Sequence, residues 1–219
     1  GKMNILFLVH RIPYPPNKGD KIRSWNELRH LAENHTVHLG CLMDQPEDAQ
    51  YPEALQAVVE SLEVVPMNPR MARAKSLSAL WKGGPLSVPY FKSQRLQDWV
   101  NETLERQSID VVLLFSSPMA DYVSHTQLPI VMDFCDVDSD KWTQYSRKAS
   151  WFMRPLYALE GRRLAEYELQ VLRRCHSATL VTEQEKEIWQ YLPRPLQEKV
   201  HVIPNGVYLQ FFSPQALVT

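Results

Sequence analysis

The chain has 219 residues, 44% of them hydrophobic, enough for one large domain with a proper core. Its formal net charge is −1, so no basic field points to nucleic acid. The three cysteines, Cys41, Cys135 and Cys175, stand far apart; they fit a reduced cytosolic protein better than a disulfide scaffold, and no CxxC or Cys/His cluster indicates structural zinc.

The opening "GKMNILFLVH" has one basic residue, a short apolar run and no small-residue cleavage site, so it reads as a first strand over 4–9, not a signal peptide. No apolar run approaches the roughly 20 residues that cross a bilayer. A proline-rich loop follows, "HRIPYPPNKGDK", and then a helix with Ile22, Trp25, Leu28 and Leu31 at helical spacing and Asp20 as its cap. Residues 36–43 are a second strand, 46–62 hold a helix with Pro52 near its first turn, and 63–67 form a short third strand. Residues 69–84 read as one helix ended by Gly83-Gly84, and 93–106 as another with Leu96, Trp99, Val100 and Leu104 on one face. "DVVLLFS" (110–116) is a buried strand, "PMADYVSH" a short helix and "PIVMDFC" (129–135) the next strand. Residues 152–175 form a long amphipathic helix interrupted near Gly161; strands at 177–182 and 200–204 bracket the helix "EQEKEIWQYL".

Strands alternate with helices throughout, which argues for an α/β fold with a parallel sheet and right-handed crossovers, flavodoxin-like or Rossmann-like. In such sheets ligands sit beyond the carboxyl ends of the strands. The first post-strand loop has neither G-x-G-x-x-G nor a P-loop. Gly19 nevertheless lets the backbone approach a ligand, the helix start offers amides to an anion, and Lys18, Lys21 and Arg23 add positive charge. The alternative is a stiff loop with solvated basic residues.

"DFCDVDSDKW" places Asp136, Asp138 and Asp140 in an Asp-x-Asp-x-Asp series. An EF-hand loop requires Gly at its sixth position and Glu at its twelfth, where this chain has Lys141 and Arg147, so that reading fails; a metal-dependent nucleotide-sugar site using Asp-x-Asp is the other metal reading. Asp138 or Ser139 suits a cap of a helix beginning near Asp140. Asp136 falls just past a buried strand, where a carboxylate can face a cleft, orient a hydroxylated substrate or move a proton. Ser116 and Ser117 precede Pro118 and suit a helix cap, with Ser116 also placed to touch ligand. His10, ending the first strand, reads as a structural histidine. The bulky, basic stretch Trp151 to Arg163 reads either as a core helix with a basic solvent face or as a surface that docks on acidic lipid.

Together the proline-rich loop, the aspartate after a central strand and "VIPNGVYLQFFSP" resemble the N-terminal half of the retaining glycosyltransferases of family four, which have the GT-B fold. The resemblance is closest to bacterial sugar transferases linked to exopolysaccharide and PEP-CTERM systems, with their "R-x-P-Y-P-P-x-x-G-D-K-I-R" start (Arg11 to Arg23) and "D-x-D-S-x-K-W" stretch (Asp136 to Trp142). It implies a Rossmann-like acceptor-side domain over 1–204, an interdomain linker beginning at 205–219, and a donor-binding domain beyond the chain. It further implies a nucleotide-sugar donor as co-substrate, a glycan or lipid-linked acceptor, no metal or other cofactor, and no transfer by this half alone. Gly19 matches the glycine loop near the donor phosphate, and Asp136 matches an aspartate that many relatives precede with His where this chain has Cys135. The expected substrate-binding set is Arg11, Asn17, Lys18, Gly19, Asp20, Lys21, Arg23 and Ser116, with Asp136 as the catalytic residue. The implied location is cytoplasmic, with peripheral contact at the inner face of the membrane. A non-catalytic α/β ligand-binding module is the rival reading, and an enzyme using another nucleotide a third.

Overall fold

The computed structural model describes residues 1–204; the linker expected over 205–219 lies outside the described residues. Seven strands form one parallel sheet: β1 (Asn4–Val9), β2 (Thr36–Met43), β3 (Ser61–Pro66), β4 (Val111–Phe115), β5 (Ile130–Cys135), β6 (Ser177–Leu180) and β7 (Val200–Val202). Their spatial order is β3-β2-β1-β4-β5-β6-β7, with the reversal of winding between β1 and β4. The register pairs Phe7 with Leu39 on one side and with Leu113 on the other.

Continuous apolar runs are what a sheet covered on both faces needs. Successive residues divide between two cores: Leu6, Leu8, Val112, Leu114 and Met132 face one, and Ile5, Phe7, Val9, Leu113 and Val131 face the other. On the second face lie Leu28 and Leu31 of α1 (Gly19–Asn34) and Leu55 of α2 (Pro52–Gln56). The first face is covered by α6 (Gln94–Arg106) and by the far end of α8 (Arg154–Arg174). Gly40 lets α6 come close: a Cβ there would meet the Trp99 ring at 2.7 Å and Leu8 at 3.0 Å.

Four elements differ from the sequence expectation. The 46–62 helix is a 3-10 turn over Pro46–Gln50 followed by the short α2, each opened by its own proline. The 69–84 helix is broken into α3 (Pro69–Ser76) and α4 (Ala79–Lys82), and a further turn, α5 (Ser87–Tyr90), precedes α6. The segment after β4 is a 3-10 helix, Ser117–Val123. The long helix α8 runs unbroken through Gly161, which serves a close crossing with α7 (Asp138–Lys148): a Cβ at Gly161 would lie 2.9 Å from the Thr143 hydroxyl. Two short helices, α9 (Glu183–Ile188) and α10 (Arg194–Gln197), complete the chain up to β7.

Candidate functional site

A cleft of ≈ 480 Å³ opens at the carboxyl edge of the sheet, lined by Gly19, Ile22, Arg23, Asn26, Asp136 and Lys141 among others. Gly19, Ile22, Arg23 and Asn26 follow i, i+3, i+4, i+7 and therefore share one face of α1. Ile22 belongs to this face and is 47% exposed, so it is not a core residue; the buried face of α1 carries Ser24, Glu27, Leu28 and Leu31.

The proline-rich loop is anchored before it reaches the cleft. Ile12 is buried and its amide donates to the Leu42 carbonyl (2.8 Å), while the Tyr14 ring packs on Trp25 and Tyr51. The Tyr14–Pro15 peptide is cis. Asn17, Lys18 and Gly19 are then exposed, and a Cβ at Gly19 would meet no protein atom within 4 Å. Space at that point is open to a ligand.

Asp20 does not cap α1. It is the second helical residue, and its carboxylate lies 3.5 Å from His10 Nε2 and 3.8 Å from Arg11 Nη1. The His10 hydrogen bond, opposed by burial and assisted by the charges of His10 and Arg11, lowers the Asp20 carboxyl to about 2. His10 stacks on Phe115, and its Nδ1 is buried with no hydrogen-bond partner. This pairing joins the residue just past β1 to the first turn of α1, ten positions on, and nothing in the local sequence signals it.

The cations of the loop are mostly committed to protein. Lys21 is 1% exposed and bonds Asp48 at 2.8 Å, so it does not reach the cleft. Arg23 borders the cleft but is buried against Asp133 (Nε to Oδ2, 2.8 Å) and also donates to the carbonyls of Ile203 and Pro204. Arg11 lies between Asp20 and Asp44. Lys18, exposed just before Gly19, makes no ion pair among the described residues.

On the opposite wall, buried Asp133 shapes the end of β5. One carboxylate oxygen accepts from Cys135 N–H (2.8 Å), the other from Arg23, and the pairing register with β6 shifts at that point. Cys135 takes a positive φ of 63°, and the next amide, Asp136 N–H, donates to the Phe134 carbonyl at 2.7 Å. The resulting turn delivers Asp136 to the cleft, where it pairs with Lys141 (2.9 Å). Lys141 is held above the ordinary lysine range, burial being outweighed by Asp136 and Asp138, and it stays charged. Burial also pushes the Cys135 thiol up, so it is no nucleophile at neutral pH.

Neither Asp138 nor Ser139 caps α7. The helix begins at Asp138, and its free amides are taken by carboxyl groups from far along the chain: Val137 N–H donates to Glu185 (2.7 Å) and Ser139 N–H to Glu168 (3.3 Å). Asp138 instead lies 3.6 Å from Lys141. Among the described residues no group of three or more His, Cys, Asp or Glu is arranged to hold a metal ion.

Ser116, just past β4, has φ 79°, makes no side-chain cap and does not line the cleft. The structure thus brings together Gly19, Asp20, Arg23 and Asp136 at the cleft, and leaves Arg11, Asn17, Lys18, Lys21 and Ser116 outside its lining. Asn26 and Lys141 were missed; helical spacing from Gly19 is the signal for Asn26, and Lys141 stands inside the D-x-D-S-x-K-W stretch.

No family model and no curated protein matches the chain. Among solved structures it is similar to a UDP-glucosyltransferase from Polygonum tinctorium capable of glucosylating indoxyl, with TM-score 0.53, 9% identity, and coverage of 93% of this chain and 52% of that one. A putative UDP-N-acetylglucosamine 2-epimerase from Listeria monocytogenes gives TM-score 0.51 and 12% identity over 92% of this chain and 45% of that one. Medicago truncatula UGT71G1 complexed with UDP-glucose gives 0.50 and 11% over 92% and 51%. The chain spans about half the length of these proteins. The likeness establishes the fold: an α/β domain with a parallel sheet flanked by helices, of the Rossmann-like kind found in GT-B proteins.

Proposed function

We propose that the chain is the acceptor-side half of a retaining glycosyltransferase, which takes a sugar from a nucleotide-sugar donor during cell-surface polysaccharide synthesis on the cytoplasmic side. The observation that carries this reading is the carboxyl-edge cleft with an unfilled space at Gly19 on one wall and the Asp136–Lys141 pair on the other. Open α/β sheets bind their ligands at that edge.

Transfer breaks the bond from the anomeric carbon to the diphosphate and forms one to an acceptor hydroxyl, whose proton must leave. The donor diphosphate lies against the first amides of α1, where Gly19 offers room. Lys141 and Lys18, not Lys21 and Arg23, face its charge. Asp136 orients the acceptor hydroxyl and handles its proton. The groups that hold the nucleotide belong to a donor-side domain, which completes the site.

In the complete enzyme, Asp136→Ala loses turnover of UDP- or GDP-sugars by about 100-fold or more while its melting temperature holds, because the side chain is partly exposed and its ion pair is a surface one. Turnover equal to wild type removes Asp136 from the mechanism. Robust transfer by these 219 residues alone would refute the half-enzyme reading.

A further inference from the structure

The net charge of −1 conceals a strong segregation. No acidic residue lies between Glu63 and Asp98, a stretch that includes Arg70, Arg73, Lys75 and Lys82. Likewise, none lies between Asp140 and Glu160, where Lys141, Arg147, Lys148 and Arg154 occur. Arg70, Arg73, Lys82, Arg147 and Lys148 are exposed and make no ion pair among the described residues.

The same two stretches expose large apolar side chains. Trp81 is 77% exposed, Trp151 81% and Phe152 64%, and Met71, Leu77 and Tyr145 are exposed with them. Elsewhere only Ile22, in the cleft, and Tyr191 are comparable among the described residues. Exposed tryptophan and phenylalanine interspersed with unpaired cations are unfavourable in water; they suit the boundary between lipid headgroups and acyl chains.

The fold gathers both stretches at the carboxyl edge of the sheet. Contacts between Ser139 and Glu168 and between Thr143 and Gly161 make α7 and α8 an antiparallel hairpin, with Trp151 and Phe152 at its tip. The 21 residues of α8, about 31 Å long, exceed the four-residue β6 that they lead into, so the tip projects beyond the sheet edge. The other stretch fills the crossover from Pro66, the carboxyl end of β3, to the start of α6. It is fastened to α8: Arg163 Nη1 donates to the Ala79 carbonyl at 2.8 Å, and Leu86 N–H to Glu160 at 2.9 Å. Arg163 is nine residues from Arg154, about 14 Å along the helix, so the two basic, aromatic prominences are neighbours.

We propose that these prominences, Trp81 with its α3–α4 cations and Trp151-Phe152 with Arg147, Lys148 and Arg154, dock the chain on an anionic lipid bilayer beside its cleft. Charge selects the surface: cations without carboxylates favour an anionic leaflet over a zwitterionic one. No helix among the described residues is long and apolar enough to cross a membrane, so attachment is interfacial. The proposal does not depend on the transferase reading.

Co-sedimentation of the 219-residue chain with vesicles tests it. The expected result is binding to phosphatidylcholine–phosphatidylglycerol vesicles, weakened by salt, with a blue shift of tryptophan emission, and little binding to phosphatidylcholine alone. Arg147→Gln with Lys148→Gln lowers partitioning by about 25-fold, at about five-fold for each lost cation. Trp151→Ala with Phe152→Ala removes most of the remainder, and Trp81→Ala acts independently; all of these side chains are exposed, so the folded circular-dichroism spectrum is retained. No binding to the anionic vesicles, equal binding to both kinds, or variants that bind as wild type overturns the proposal. So does light scattering that shows a dimer abolished by the Trp151 variant in a protein indifferent to vesicles, which would assign the surface to a second copy.

Discussion

Buried charge at the residue scale is almost always matched in this domain, and the matching decides which polar groups reach the cleft. Arg23 holds Asp133 and the Ile203 and Pro204 carbonyls, and Lys21 holds Asp48; both ion pairs are out of water. Removing one partner of such a pair costs about 3–5 kcal/mol, because the other charge is left stranded. Glu168 meets burial differently. Its carboxyl is raised to about 8, chiefly by desolvation and in part by the charge of Asp138, against the hydrogen bonds from Ser139. It therefore stays protonated in the folded chain up to about pH 8, whereas the unfolded chain ionises it near its ordinary value of 4.5. The folded state binds the extra proton over that interval, so the stabilisation is complete below 4.5 and is lost as pH rises toward about 8. Between about pH 5 and about 8 the melting temperature of wild type should fall more steeply than that of Glu168→Gln, which has no proton to lose. Identical slopes in the two proteins would show that Glu168 is already ionised when folded.

Glycine marks two kinds of constraint at the element scale. Gly83 and Gly84 end α4 at φ 86° and 82°, where side-chain-bearing residues are strained. Gly161 has ordinary helical neighbours on either side and is needed for space, since α7 crosses α8 at that point. Alanine is worth about 1 kcal/mol over glycine in a helix interior. Here a Cβ would press on the Thr143 hydroxyl at 2.9 Å and on α7 backbone atoms at 3.3 Å, and backbone cannot rotate away. Gly161→Ala should lower the melting temperature in spite of its propensity, and Thr143→Ala in that background should recover part of the loss. A rise in melting temperature with Gly161→Ala alone would mean that the hairpin yields freely. The same hairpin supplies the docking tip, so its stiffness bears on function as well as on stability.

At the scale of the whole molecule, one sheet runs from β3 to β7 without a break, and its two apolar faces share every central strand. Arg23 adds a tie from α1 across β5 to the chain just beyond β7. Loss of either core would expose the strands that carry the other. Thermal unfolding should therefore be a single cooperative transition, with calorimetric and van't Hoff enthalpies that agree. Two resolved transitions, or a van't Hoff enthalpy well below the calorimetric one, would show that the β5–β7 half melts separately. Cleft and proposed docking surface both stand at the carboxyl edge of this one sheet.

The sequence by itself determined the parallel α/β class and the order of strands and helices, because apolar runs of strand length between amphipathic helices have few other packings. It also directed attention to the loops that follow the strands, where Gly19 and Asp136 were expected, and both line the carboxyl-edge cleft. Tertiary structure alone decided which charges face the cleft. Lys18, Lys21 and Arg23 look alike in a basic loop, yet Asp48 and Asp133, distant in sequence, withdraw the last two into ion pairs. It also decided that α7 is capped by Glu168 and Glu185 in place of the local Asp138 or Ser139. Gly161, a helix breaker by propensity, is a crossing point because only the packed hairpin brings Thr143 against it. Local pattern fixes periodicity and burial, which are short-range properties of the chain. The partner of a buried charge or an open helix end is a long-range property, and it exists only once the strands have assembled.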